Sequence, residues 1–395
     1  MADGVLKGIR LIELGEGIGV AYCGKLFADY GAEVVKVEMP GGDQLRSAPP
    51  FRDGGPEGES SGLFAFLNTS KSSVTIDWTT DNGAHLVDRM VERTDVVVHA
   101  LDAAGRARLG LGAARPGRPG VIDVAITPFG LTGPYRDFAA ESLTMTALAG
   151  WMFPMGDRDK PPLYAGGPYI SYLAGLSAVS GALIALEARE QYGEGQVVDV
   201  SALEIGLTAI PFDTVRFSYS GTYRPRSDEL YSDNPTAGIY PCADGYVQFQ
   251  EFRRLNEFLH IIGGAQLEAD PRFQKADLRD LDRELLKEAF TTFLPTKNRW
   301  ELFEECSKER IVISAVPDMR DLYALLPHRE RHYFSKGDAG GALDGVEMPG
   351  PPVRFDDGEW HAGPPPVLGA RTVNTVAELG RSWDGDQVAH REGGN

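Results

Sequence analysis

Three glycines, Gly15, Gly17 and Gly19, stand between an apolar run, Ile9 to Leu14, and a helical stretch from about Ala21 to Tyr30. A glycine-rich turn from strand to helix lets backbone N–H groups approach an anion, and the helix dipole adds to the attraction. The spacing is not that of the dinucleotide fingerprint, so the turn alone reads equally well as a plain tight turn. Other reactive side chains are scattered. Cys23, Cys242 and Cys306 are far apart and unpatterned, which fits reduced thiols in a cytoplasmic chain better than disulfides or a metal site. No set of His, Cys, Asp and Glu has metal-ligand spacing, and no Ser/His/Asp order stands out. His99 and His361 are isolated in the chain, and a lone His is more often structural than reactive.

The elements around that turn form a βαβ unit: strand, helix, Gly31, then a second apolar strand from Val34 to Val37. Asp95–His99 and Val121–Ile126 read as further buried parallel strands, with a helix over Ala84–Arg93 before them. The expected fold class is therefore α/β, with a large Rossmann-like domain. Tyr172–Glu190 is a strong helix, its small residues spaced for close packing and Gly193 as its stop signal. Another helical stretch, Glu204–Tyr223, ends where Arg224–Asp228 breaks the pattern. Residues 232–335 read as a smaller α/β unit, with a hairpin over Tyr240–Phe249 and helices at Leu255–Ile262, Arg283–Phe293 and Arg299–Lys308. The expected domains are 1–200 with 340–395 as the large one and 232–335 as the small one, joined by a helical linker at 201–231. A Gly-, Pro- and Asp-rich linker at 336–366 leads back. Thr372–Leu379 reads as a closing helix, and the tail from Asp384 is expected to be disordered.

The 395 residues suffice for two domains, and the net charge of −18 argues against nucleic acid as a partner. No unbroken apolar run of membrane-spanning length is visible, so no membrane segment is expected. Met1 to Lys7 lacks the pattern of a signal peptide.

Several segments, in order along nearly the whole chain, resemble the class III CoA-transferases, the CaiB/BaiF family. Val37-Glu38-Met39-Pro40-Gly41-Gly42-Asp43 with Arg46 is similar to the family's V-E-x-P-G-G-D-x-x-R. Leu67-Asn68-Thr69-Ser70-Lys71-Ser72-Ser73-Val74 is similar to its L-N-x-x-K-x-S-V. Thr127-Pro128-Phe129-Gly130-Leu131-Thr132-Gly133-Pro134-Tyr135 and Gly193-Glu194-Gly195-Gln196 also resemble family segments, and Leu368-Gly369-Ala370-Arg371-Thr372 resembles a closing L-G-x-H-T. The resemblance implies coenzyme A and acyl-CoA as substrates, a carboxylic acid as acceptor, no metal, and a dimer of interlocked chains in which both termini build the large domain. Partners are then a second copy of the chain or a homologous subunit. Carried over position by position, the CoA site falls on Gly17, Ile18, Gly19, Met39, Lys71, Leu101, Arg108 and Thr127. A polyanion bound by so acidic a chain needs local cations, and Lys36, Arg46 and Arg106 are further candidates in the matched segments.

The chemistry the family implies needs a carboxylate nucleophile, because an acyl anhydride and a thioester on a carboxylate are both reactive enough to turn over. The family's Asp follows T-G-P-Y in wording such as Y-D-L-L-x-Q-A-x-S-G. Counting back from Ala147 and Gly150, that position is Ser142, with Glu141 one residue earlier. Three readings stay open: Glu141 is the nucleophile; the chain is a non-catalytic subunit or acyl-CoA-binding protein; or Ser142 serves another reaction. The plain reading of Ser142 is a helix N-cap. The family's racemase branch, which moves a proton at the α-carbon, is a further alternative, with no His beside this pair. Other family features are missing. His99–Gly105 replaces an E-N-F-x-P-G turn, and Gln250–Arg254 stands near a glycine-rich loop without its glycines. Trp151, Tyr164, Tyr169 and Tyr231 are equally an aromatic pocket or ordinary core.

Overall fold

The computed structural model describes residues 4–52, 60–113, 120–223, 225–226, 237–249, 254–273, 283–336, 343–356, 360–375 and 377. Six parallel strands make the main sheet: β1 (Arg10–Leu14), β2 (Glu33–Glu38), β3 (Ser72–Thr75), β4 (Val96–His99), β5 (Ile122–Thr127) and β6 (Val197–Ser201). Their order is β3-β2-β1-β4-β5-β6, the doubly wound order in which the strand sequence reverses between β1 and β4. β1 holds the centre, with Leu11 opposite Val34 on one side and Val96 on the other.

Side chains alternate across the pleat, so each strand feeds two cores. Leu11, Val34, Val96, Val98, Ile122 and Val124 face one layer. There they meet α1 (Ile18–Asp29) and α6 (Tyr169–Tyr192). Ile12, Leu14, Val37, Val74 and Val97 face the other, against α3 (Asp81–Val91). Short helices α2 (Gly62–Leu67), α4 (Ala103–Leu109) and α5 (Ser142–Leu148) complete the connections.

Helices α1 and α6 touch through glycine. A Cβ on Gly175 would lie 2.5 Å from the Gly19 carbonyl oxygen, so no side chain fits at that crossing. A strip of alanines, Ala174, Ala178, Ala182 and Ala185, continues the buried face of α6. The sequence led to no expectation of a membrane-length segment, yet α6 meets that test by length and composition, with mean hydropathy 1.7. Its Ala, Gly and Ser positions hide this from a search for unbroken apolar runs. Its alanine strip packs on α1 and the sheet, as a core helix does.

The expected single helix over Glu204–Tyr223 is two, α7 (Ala202–Thr208) and α8 (Pro211–Ser220). Pro211 has no N–H to continue a helix and sits instead in the first turn of the next one. By contact density these helices fall in one compact unit with residues 1–152 and 330–395. Within that unit, part of the stretch read as a linker is ordered as β11 (Glu347–Pro349), paired antiparallel with β10 (Phe334–Lys336). The segment beyond it runs along β3: Gly369 N–H donates to Ser73 Oγ, Arg371 N–H to the Ser73 carbonyl, and Thr75 N–H to Thr372 Oγ1. Residues 372–375 are helical; Leu379 and the tail lie outside the described residues.

The second unit, Phe153–Leu163 with Arg224–Arg329, has an antiparallel sheet of β7 (Gly238–Cys242), β8 (Gly245–Phe249) and β9 (Ile313–Ala315). Helices α9 (Leu255–Glu268), α10 (Arg283–Phe293) and α11 (Arg299–Lys308) close its core around Phe249, Phe258 and Phe290. Two short helices, α12 (Met319–Ala324) and α13 (Leu326–Glu330), follow.

Candidate active site

A cleft of about 960 Å³ opens at the carboxyl ends of β1, β4 and β5, the switch point where doubly wound sheets bind ligands. Three turns line it. The first is Glu16 to Val20, where Gly15 (φ +85°) and Gly17 (φ +117°) turn the chain into α1. Only glycine adopts such angles without strain. The second is Ala100 to Ala104, entering α4. The third follows β5 at Thr127 and Pro128. That loop is tied down: Gly130 N–H donates to Thr127 Oγ1 at 2.8 Å, and Leu131 N–H to the Asp199 carboxylate at 3.0 and 3.1 Å.

The stretch Arg136–Ser142 forms a further wall. Aromatic contacts hold its start in place, Tyr135 stacking on Phe138 with ring centroids 4.9 Å apart and both packing edge-on to Phe129. Its end is the head of α5. Glu141, not Ser142, is the N-cap residue, and its N–H donates to Thr144 Oγ1 at 2.8 Å. The expected capping role for Ser142 is therefore corrected. Ser142 is the first helical residue, and its Oγ is buried with no hydrogen-bond partner. Glu141 is exposed on the cleft wall.

Among the described residues, five carboxylates and two guanidiniums line the cleft. Asp43 lies 2.5 Å from the Lys36 ammonium, Asp102 caps α4 by accepting from Gly105 N–H at 2.7 Å, and Asp137 meets Arg136 at 3.2 Å. Glu16 is held above the ordinary carboxylate range, first by burial and then by the neighbouring Asp43 charge. Arg106 donates to the Leu101 carbonyl at 2.7 Å.

Of the expected site residues, Gly17, Ile18, Gly19, Leu101, Thr127, Glu141 and Ser142 come together here. Met39, Lys71 and Arg108 are not on this wall. Met39 closes a turn after β2, its carbonyl accepting from Gly42 N–H. Arg108 faces the start of α3, donating to Trp78 O at 2.9 Å and Asp81 at 2.7 Å. Arg106, two residues back, projects from a different face of α4 and reaches the cleft, since two helical positions differ by ~200°.

Lys71 lies in a buried ion cluster. Its ammonium donates to Glu13 Oε2 at 2.7 Å, the Ala21 carbonyl at 2.7 Å and Asn68 Oδ1 at 2.9 Å, which uses all three protons. Burial pushes it down to about 8, against the pull of Glu13. Lys36 sits between Glu13 (2.6 Å) and Asp43 (2.5 Å), and these carboxylates raise it although burial alone would lower it. Arg46 grips Glu38 through two bonds of 2.8 Å, with Ser73 Oγ donating to the same carboxylate. Burial would raise Glu13 and Glu38; the cations around them, and for Glu38 the Ser73 hydroxyl as well, hold both below the ordinary value of 4.5. Two of the recognised motifs thus clamp β1, β2 and β3 together.

His99 is fully buried, its Nε2 3.0 Å from Asp123, and neither it nor His361 is on the cleft wall. Trp151 donates to the Gly206 carbonyl at 2.8 Å beside a small apolar core. Tyr231 and the Gln250–Arg253 stretch lie outside the described residues. Glu16, Arg136 and Phe138 escaped the sequence reading. The only signal for them was nearness to the glycine turn and to Glu141.

Residues 6–372 match the CoA-transferase family III model, and the chain belongs to that family. The succinate–glutarate CoA-transferase of Agrobacterium fabrum is 28% identical over 390 residues, covering 95% of each chain. A protein of Thauera aromatica, the succinyl-CoA:(R)-benzylsuccinate CoA-transferase subunit BbsE, is 28% identical over 389 residues, 94% of this chain and 93% of that one. The crystal structure of a CAIB/BAIF family protein from Brucella suis superposes with a TM-score of 0.83 at 26% identity, covering 95% of this chain and all of that one. The activity is accordingly CoA transfer between an acyl-CoA and a carboxylic acid.

Proposed function

We propose that Glu141 is the nucleophile of this transfer. The observation that carries the proposal is its position as an exposed carboxylate at the head of α5 on the cleft wall, while Asp43, Asp102 and Asp137 are each engaged by a neighbour. Glu16, raised above the ordinary carboxylate range first by burial, is less exposed than Glu141. Glu141 attacks the acyl carbonyl and expels the CoA thiolate, leaving a mixed anhydride. The thiolate then attacks the glutamyl carbonyl, which releases the donor acid and leaves CoA as a thioester on Glu141. The acceptor carboxylate attacks that thioester and frees the thiolate, which attacks the new acyl carbonyl. Acyl-CoA leaves and Glu141 returns as carboxylate.

The acids named for the Agrobacterium fabrum and Thauera aromatica relatives are dicarboxylates. Arg136 offers a guanidinium for the carboxylate that does not react, and Arg106 one for the phosphates of CoA. Both termini build the large domain and 232–335 the small one, in an interlocked homodimer in the cytoplasm. Exposed Ile184 on α6 and Phe217 and Tyr219 on α8 give that dimer apolar surface to cover. The test is covalent trapping. Hydroxylamine or borohydride after incubation with succinyl-CoA locates an adduct on the Glu141 peptide, and an adduct elsewhere refutes the assignment.

A second reading has one observation behind it. Ser142 stands at the family's Asp position, and a relative of nearly equal length is named as a subunit. The chain then pairs with a homologue that supplies the carboxylate. A parent without activity whose Ser142→Asp variant transfers CoA establishes this reading over the first.

A further inference from the structure

Five residues beside the catalytic cleft close a ring of contacts. His99, at the end of β4, is fully buried. Its Nδ1 accepts from Leu101 N–H at 3.4 Å, and its Nε2 lies 3.0 Å from Asp123 Oδ1 on β5. The other Asp123 oxygen accepts from Gly112 N–H at 2.6 Å. Gly112 holds φ +78°, and a Cβ there would lie 3.1 Å from Arg106 Cδ, so the bare backbone lets the arginine stem lie against the turn. Arg106 completes the ring. Its guanidinium donates to the Leu101 carbonyl at 2.7 Å, while its own carbonyl accepts from Leu111 N–H at 2.8 Å. Leu101 and Arg106 line the cleft; His99, Asp123 and Gly112 stand behind its wall.

An imidazole nitrogen that accepts a hydrogen bond carries no proton, so the ring proton sits on Nε2, facing the Asp123 carboxylate. His99 then has one orientation, holding Leu101 N–H on one side and meeting the carboxylate that holds Gly112 on the other. Leu101 is gripped at both ends, its N–H by His99 and its carbonyl by Arg106. A long side chain ordered beforehand loses less freedom when a ligand arrives. We propose that His99 is a positioning residue for acyl-CoA binding: with Asp123 it fixes residues 101–112 in the shape that holds Arg106 at the cleft. The role rests on Arg106 meeting the phosphates of CoA, as proposed above. A buried imidazole off the cleft wall thereby sets how tightly that arginine holds the substrate.

CoA itself serves as the probe, titrated calorimetrically into the full-length protein. His99→Phe should weaken CoA at least threefold. His99→Asn, whose Oδ1 can accept from Leu101 N–H as Nδ1 does, should recover part of that loss. Added to Arg106→Gln, His99→Phe should cost nothing more, because both changes act through one guanidinium. Asp123→Asn keeps the shape of the site and remains decisive if His99→Phe does not fold. Either orientation of its amide sets an N–H against an N–H, at His99 Nε2 or at Gly112, so CoA should weaken here too, again without a further loss in Arg106→Gln. Parent affinity in both His99→Phe and Asp123→Asn, or losses that add to that of Arg106→Gln, overturn the role of His99. Parent affinity in Arg106→Gln instead removes Arg106 from the phosphates, and the positioning role with it.

Discussion

The cleft wall and the ion cluster around Glu13 lie on neighbouring strands of one sheet, and both are dense in charge. In the cluster every carboxylate meets a cation at short range: Glu13 with Lys36 and Lys71, Asp43 with Lys36, Glu38 with Arg46. In the cleft Glu141 is exposed, and among the described residues carboxylates outnumber guanidiniums. A buried charge persists only with matched partners, so the cluster's cations are spent on holding strands together. A charge at an open edge keeps its reactivity. Lys71, Arg46 and Lys36 looked like ligand cations because they lie in the segments that identify the family. In the structure those segments clamp β1, β2 and β3 together, and the cations on the cleft wall, proposed above for the ligand, are Arg106 and Arg136.

Four measurements break or sharpen that contrast. The largest effect belongs to Glu141→Gln. An amide cannot form the anhydride, so turnover should fall by at least roughly 10³-fold, as for other nucleophile deletions, with the melting temperature unchanged. Retained turnover removes Glu141 from the mechanism. Glu13→Ala should do the reverse. It leaves the buried Lys71 ammonium without its carboxylate and Lys36 with Asp43 alone, and should cost about 3–5 kcal/mol in urea denaturation; a smaller loss means the cluster is not the clamp described.

Acid is the third probe. Glu13 and Glu38 are lowered in the folded protein relative to 4.5. Groups depressed in this way contribute stability that is present above 4.5 and lost as pH falls through the folded values. Melting temperature should therefore drop steeply below pH 4.5, and less steeply in Glu38→Gln. Equal slopes in parent and variant contradict the ion pairing of Glu38. The smallest effect is expected at Arg108→Gln, which removes a surface pair with Asp81. Stability and KM for acyl-CoA should both hold, since exposed pairs contribute little. Arg106→Gln should raise KM several-fold. If the two variants exchange behaviours, the cleft assignment is reversed.

Local sequence determined the elements. The apolar run from Ile9 to Leu14, the glycine turn, and the helices Arg283–Phe293 and Arg299–Lys308 were legible because apolar runs, period and stop signals are local properties. The run of motifs likewise gave the family. What sequence missed was set by contacts, one of them local at the head of α5 and the others between distant residues. The N-cap of α5 lies at Glu141, not Ser142, because Thr144 closes the first turn onto the backbone of Glu141. Lys71 faces inward because Glu13, Asn68 and the Ala21 carbonyl converge on it from three places in the chain. Arg371 meets Glu33 only because the C-terminal segment returns to β3. A one-dimensional pattern records which residues carry charge. Whether that charge is neutralised inside or left at an edge depends on the distances between strands, and only the tertiary fold sets those.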